Sequence, residues 1–273
     1  MQMDIKLSCS DVMVPGRSLT DKAEKLRQWG YDGIAVFTSY AQWSEEKLEE
    51  LLHLKENTGI APCEFVFMDS VYGHLMSPDK QLKSKAMAMY KDAIGVCKKI
   101  GAMTEMEFDY GIQDPLPLFE PYKQMSNSEE QAFIEVLKEL GEVAAGSEAY
   151  ILLEPINRYE TKYLTRLQDC KAILEKAQLA NSGLLPDFFH MSIEEVDLPG
   201  SIKNAGSLIK HVHLGDNNRL LPGHGHTNWH ACFEALNEIN FKGFMNLECG
   251  ISGVPEIELP ETATFLRKIA SAI

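Results

Sequence analysis

Short apolar runs and longer stretches with apolar residues at three- and four-residue spacing take turns along this chain. The first kind fits buried strands, the second amphipathic helices. Residues 5–9 and 33–37 are the first two runs, separated by a helical pattern over 20–29 that Gly30 closes. Ser44 precedes a helix carrying Leu48, Leu51 and Leu52, which ends near Gly59, and residues 62–67 form the third strand. Ser77-Pro78 predicts the start of a third helix running to Ile100, with serine as cap and proline in the first turn. A fourth strand follows over 103–108, and Ser128-Glu129-Glu130-Gln131 reads as the capping box of a fourth helix.

The alternation continues to the C-terminus. Strands are expected over 150–154, 183–187, 209–214 and 244–248. Between them lie a helix carrying Leu167, Ile173 and Leu174, a weak helix over 199–205, and a helix over 229–239. Pro260 opens the last helix, which ends near Ala270. Eight strand–helix units at about 34 residues each predict an α/β chain folded as one (β/α)8 TIM barrel, a single domain over 1–273. The alternative, a doubly wound open sheet, lacks its usual glycine fingerprint after the first strand.

With 273 residues, 45% of them hydrophobic, the chain is long and apolar enough for a sizeable core without metal or disulfide staples. The net charge of −14 speaks against nucleic acid as a partner. No apolar run approaches the length of a membrane span, and Asp4 and Lys6 interrupt the N-terminal apolar stretch, which is no signal peptide. Six cysteines stand at 9, 63, 97, 170, 232 and 249 with no CxxC pair, as expected for reduced thiols of a cytoplasmic protein.

In such a barrel the active site lies at the C-terminal ends of the strands. Strands five to eight end in Glu154, Asp187, His213 and Glu248, at separations of 33, 26 and 35 residues. One glutamate ending a strand is usually a cap or loop partner. Four such residues in register are different, because buried carboxylates converging on one rim repel one another unless a cation joins them. Three carboxylates and one imidazole make a mostly oxygen donor set, suited to one divalent ion: Mn²⁺ first, with Mg²⁺, Co²⁺ or Zn²⁺ as alternatives. Glu160, His190 and Arg219 follow these ligands at short range.

The segments EPINRYE at 154–160, LLPDFFHMSIEE at 184–195, HVHLGDNNRLLPGHGHTNW at 211–229 and LEC at 247–249 resemble the sugar isomerase/epimerase family of xylose-isomerase-like barrels. The nearest pattern is that of the D-tagatose and D-allulose (psicose) 3-epimerases. The resemblance implies that Glu154, Asp187, His213 and Glu248 are the metal ligands and that Glu154 and Glu248 are also the acid/base pair. It implies that His190 and Arg219 hold substrate oxygens, with Glu160 in the substrate or support shell. The activity implied is proton transfer on a ketose or sugar phosphate through a metal-stabilised enediolate, giving epimerisation or isomerisation.

Phe188 stands where the family often has threonine, Pro186 precedes the metal-binding aspartate, and Cys249-Gly250 replaces the usual Pro-Phe after the last glutamate. These departures leave the sugar open. A metal-dependent dehydratase of a keto-cyclitol is the alternative enzyme class, and a sugar-binding barrel without catalysis the alternative outside enzymes. A small sugar is the expected partner, and a homo-oligomer is compatible with the sequence.

Overall fold

The computed structural model describes residues 3–120 and 122–273; Met1 and Gln2, the start of the N-terminal stretch read above, lie outside them. Eight parallel strands curl into a barrel: β1 (Lys6–Ser10), β2 (Gly33–Ser39), β3 (Ala61–Met68), β4 (Met103–Met106), β5 (Tyr150–Leu153), β6 (Ser182–Leu184), β7 (Val212–Leu214) and β8 (Phe244–Leu247). Their order is β6-β5-β4-β3-β2-β1-β8-β7. Among the described residues, the ring closes between β6 and β7 through two isolated bridges, Leu184 to Ile209 and Asp187 to His213. Helices cover the outside: α1 (Leu19–Gln28), α2 (Glu45–Thr58), α3 (Lys80–Ile100), α4 (Asn127–Ala144), α5 (Leu167–Ala177), α6 (Phe188–Glu194), α7 (Leu198–Ala205), α8 (Trp229–Glu238) and α9 (Pro255–Ser271). Among the described residues, no helix is long and apolar enough to cross a membrane.

The elements stand where the apolar pattern placed them, and several caps do not. Asp79 caps α3, accepting from the backbone N–H of Gln81 and Leu82, and the expected Ser77 lies two residues upstream. A carboxylate also interacts favourably with the positive end of the helix dipole, which a serine cannot match. The capping box of α4 is Ser126 with Glu129, two residues before the expected serine: each side chain accepts from the other's backbone N–H. Pro255 takes the first turn of α9 and leaves Pro260 inside the helix. The sequence reading missed α6, a seven-residue helix that begins immediately after Asp187.

The barrel's outer layer is apolar, with Leu7, Ile34, Phe65, Leu153, Leu214 and Leu247 buried between sheet and helices or against them. Alternate positions on the strands are polar and equally buried: Ser8, Glu64, His211, His213 and Asn246 are all 0% exposed. Side chains two residues apart share a face of a strand. His211, just before β7, and His213 therefore share one face, their rings edge to face, as Glu105 and Glu107 share one at the end of β4, so the lumen carries layers of polar groups leading to the mouth.

Candidate metal centre and active site

Each sequence-expected ligand is delivered by the end of a strand. Glu154 and Glu248 follow β5 and β8 directly, and His213 lies within β7. Asp187 comes three residues after β6 and is held against β7 by its bridge to His213. It also caps α6, its Oδ1 accepting from Phe189 N (2.6 Å) and His190 N (3.2 Å). One oxygen of Asp187 thus does the capping that a strand-end carboxylate ordinarily does, while Oδ2 is buried with no hydrogen-bond partner.

The remaining atoms converge. His213 Nδ1 is 2.5 Å from Glu248 Oε2 and 3.4 Å from Glu154 Oε1. Neither Nδ1 nor Glu248 Oε2 has a partner of hydrogen-bond geometry among the described residues. One ligand atom each from Asp187, His213 and Glu248 lie within 4.8 Å of one another, as do atoms of Glu105, Glu154 and His213. Buried polar atoms left unpaired are costly. Here three of them, Asp187 Oδ2, His213 Nδ1 and Glu248 Oε2, belong to residues whose ligand atoms cluster, and that donor chemistry fits a hard or borderline divalent cation.

The electrostatics agree. Burial, with Glu248 and Asp187 as like-charged neighbours, pushes Glu154 up to about 8 against the pull of His213. Burial likewise raises Asp187 to about 6, with Glu248 adding to it. Burial alone would lower His213, but Glu64 and Glu248 more than reverse that and hold it well above its ordinary value. Without a second positive charge, these groups relieve their repulsion by keeping protons.

Four groups in this site were missed from the sequence. Glu64, in the middle of β3, reaches His213 Nε2 at 3.0 Å and lies 3.3 Å from His211 Nε2. Glu105 and Glu107, at the end of β4, both contact the Tyr72 hydroxyl, at 2.9 and 3.1 Å. A phenol has one proton, so the two carboxyls share a single donor. Burial, reinforced by Glu154, holds both well above the usual carboxylate range. The signal was available: a charged residue inside an apolar strand such as Pro62-Cys63-Glu64-Phe65-Val66 is there for a partner.

Above the ligands a cavity of about 230 Å³ opens at the barrel mouth. Its polar wall is Glu105, Glu107, Glu154, Glu248, His190 and Arg219. His190 is 2% exposed, and burial keeps it well below its ordinary pKa, hence neutral. Its Nδ1 accepts from the backbone N–H of Asn157 (3.1 Å) and faces the Asn157 side-chain amide at 2.8 Å. Asn157 Oδ1 accepts from Tyr159 N, which fixes the amide with its nitrogen toward the ring. The proton of His190 is therefore on Nε2. Arg219 lies over the Phe189 ring, 4.7 Å from its centroid, and donates to Glu160 Oε1 at 3.3 Å. The same Glu160 oxygen accepts from Asn157 Nδ2 at 2.8 Å, so Glu160 ties together the supports of His190 and Arg219.

Comparison with known proteins bears on the family and the fold. The profile described as "Xylose isomerase-like TIM barrel" matches residues 23–269. D-psicose 3-epimerase of Enterocloster bolteae is 25% identical over 230 residues, 82% of this chain and 74% of that protein. 3-dehydro-D-guloside 4-epimerase of Escherichia coli is 36% identical over 112 residues, 41% of this chain and 43% of that one. The crystal structure of 3-keto-D-glucoside 4-epimerase from E. coli superposes with a TM-score of 0.86 at 22% identity, covering 97% of this chain and all of the other. The fold and the matched span make this chain a member of the xylose isomerase-like TIM barrel family.

Proposed function

We propose that this protein is a divalent-metal-dependent epimerase of uncharged sugars, moving a proton on the carbon beside a carbonyl. The observation that carries the reading is the convergence of unpaired buried atoms of Asp187, His213 and Glu248, with Glu154 beside them, beneath a polar cavity. Glu154, Asp187, His213 and Glu248 would hold the ion, with Mn²⁺ the best match to three oxygen donors and one nitrogen. Bound there, a divalent ion supplies Lewis acidity toward a carbonyl oxygen. The relatives named above are a 3-epimerase of a ketose and 4-epimerases of 3-keto sugars. Both kinds invert a carbon next to a carbonyl, which makes that chemistry the common denominator.

The protein's own groups supply the rest. Glu154 and Glu248 enter from different strands and flank the mouth, so one takes a proton from one face of the substrate and the other returns a proton to the opposite face. His190 donates through Nε2–H, and Arg219, braced by Glu160, donates to a second substrate oxygen. A sugar drawn from water needs such replacements for its lost hydrogen bonds.

Absence of substrate charge follows from where the cations are. Arg158 is paired with Glu194 (2.9 Å), Arg166 with Asp169 (2.9 Å), Lys162 with Glu129 (3.5 Å) and Arg219 with Glu160 (3.3 Å). The cavity wall carries four glutamates, and its one arginine is paired with Glu160, so among the described residues no cluster of free cations lines it to hold a phosphate or carboxylate.

The test is proton–deuterium exchange from D₂O with the Mn²⁺-loaded protein, using free ketoses, 3-keto-glycosides, keto-cyclitols and sugar phosphates. Exchange beside the carbonyl of an uncharged sugar, with inversion, is expected. No exchange in any compound, or preference for the phosphates, overturns the reading, and net loss of water assigns a dehydratase instead.

A further inference from the structure

β3 and β7 stand on opposite sides of the ring, four strands apart in either direction. A contact between their side chains must cross the lumen. Glu64 makes that crossing: its Oε2 lies 3.0 Å from His213 Nε2, and both side chains are fully buried. A carboxylate accepts, so Nε2 of His213 carries a proton in this contact. The nitrogen that remains, Nδ1, is the one directed at Glu154 and Glu248.

We propose that Glu64 is the positioning residue of the metal centre, holding the His213 proton on Nε2 and thereby presenting Nδ1 to the cation. The inference rests on the metal reading above and adds a residue to it. A histidine that ligates through one nitrogen needs an acceptor on the other to fix its tautomer and ring orientation, and a carboxylate acceptor also strengthens the donor nitrogen. No neighbouring group can take this part. Glu105 Oε2 is 3.8 Å from Nε2, beyond hydrogen-bond reach, and Glu105 Oε1 already accepts from Tyr72. A buried carboxylate spanning a barrel core is an expensive way to fill space, and an apolar side chain would do that better.

The rival is a second cation deeper in the lumen. Glu64 Oε1 and both ring nitrogens of His211 lack partners among the described residues, and Glu64, His211 and His213 could together hold an ion. Among the described residues the lumen cluster has three such residues, one of which already serves the mouth, so the positioning role is the better fit.

Stoichiometry, affinity and a ring spectrum decide. Metal-free wild type titrated with Mn²⁺ should take up one ion per chain. E64Q keeps the shape and loses the charge, and should bind Mn²⁺ at least about tenfold more weakly. In Zn²⁺-loaded protein carrying ¹⁵N-histidine, His213, identified by its loss in H213N, should show a protonated Nε2 and a bare Nδ1. Its Nε2 proton should move upfield and exchange faster with water in E64Q, which a residue that merely fills the lumen would not cause. Wild-type affinity in E64Q, a proton on Nδ1, or two ions per chain each overturns the proposal. If E64Q does not fold, the wild-type count and spectrum decide alone. A wild type that binds no divalent ion overturns the metal reading itself, an outcome distinct from E64Q binding as tightly as wild type.

Discussion

His213 is addressed from both ring nitrogens, with Glu64 on one side and Glu154 and Glu248 on the other. The two outer glutamates therefore carry two roles, ligand and base, which substitution can separate. E154Q and E248Q each retain an oxygen for an ion but cannot accept a proton. Each variant should keep part of its Mn²⁺, by metal analysis, while epimerisation falls by about 10²–10⁴-fold. Each should also retain deuterium exchange into one epimer only, through the surviving carboxylate. Both variants epimerising near the wild-type rate would refute the two-base assignment. Arg219 acts on the substrate side. R219A should lower kcat/KM at least about tenfold, ~1.4 kcal/mol of transition-state stabilisation. E160Q should produce a smaller loss of the same kind, because Glu160 reaches the cavity through Arg219 and Asn157. If R219A has wild-type kinetics, Arg219 belongs to the ordinary surface.

The element that delivers Arg219 is the loop between β7 and α8, and it is organised around one buried carboxylate. Asp216 accepts from the backbone N–H of Asn217, Gly223 and Thr227 and from the indole N–H of Trp229. The carbonyl of Asp216 accepts from Arg219 N at 2.8 Å, where the chain turns through a positive φ of 58°. Gly225 must stay small, since a Cβ there would lie 2.4 Å from Asp216 Oδ1. Burial alone would raise Asp216, but the donors from Thr227, Asn217 and Trp229 reverse this and hold it at about 2. The unfolded chain, with an ordinary Asp pKa of about 3.9, then binds the proton more readily than the folded one. The Asp216 contribution to stability is therefore complete above about pH 4 and is lost as pH falls through about 2. D216N should cost about 2–3 kcal/mol at pH 7, because charge-assisted bonds go and an amide N–H₂ meets donors. Its urea midpoint should then fall less steeply than that of wild type across that acid window. A wild-type midpoint in D216N at neutral pH would remove the carboxylate from this role. The loop's ends were legible from His213 and from the helical pattern at Trp229, but its clasp was not. Asp216 is one polar residue among several in Gly215-Asp216-Asn217-Asn218, and nothing local marks which of them folds inward.

For the molecule as a whole, the sequence shows what repeats and hides what crosses. Strand ends one repeat apart put Glu154, Asp187, His213 and Glu248 on one rim, because a parallel barrel turns equal spacing into neighbouring positions. Glu64 belongs to the same site, yet it meets His213 across the lumen, and no spacing along the chain encodes a contact between strands that do not pair; Glu105 and Glu107 meet Tyr72 just beyond the neighbouring β3. The ring also closes unevenly. β2 and β3 pair over seven registered positions, while β6 and β7 are joined by two bridges, one of which is Asp187 to His213. Two of the four proposed ligands thus face each other across a sparsely paired seam. An ion held by both would supply there what the backbone ladder lacks. Binding to the folded state alone stabilises it by about 2.7 kcal/mol when free ligand is a hundredfold above Kd. A shift of roughly 2–4 °C per kcal/mol is usual for chains of 150–250 residues, so chelation should lower Tm by about 5–10 °C. Hydrogen exchange should report where the loss falls. Amides that bond across the seam, Lys210 N to Leu184 O and His213 N to Pro186 O, should lose protection on metal removal. Those of the β2–β3 ladder should follow only the global change in stability. Equal Tm with and without the ion, or loss of protection spread evenly around the ring, would show that the cation does not serve as the clasp of the barrel.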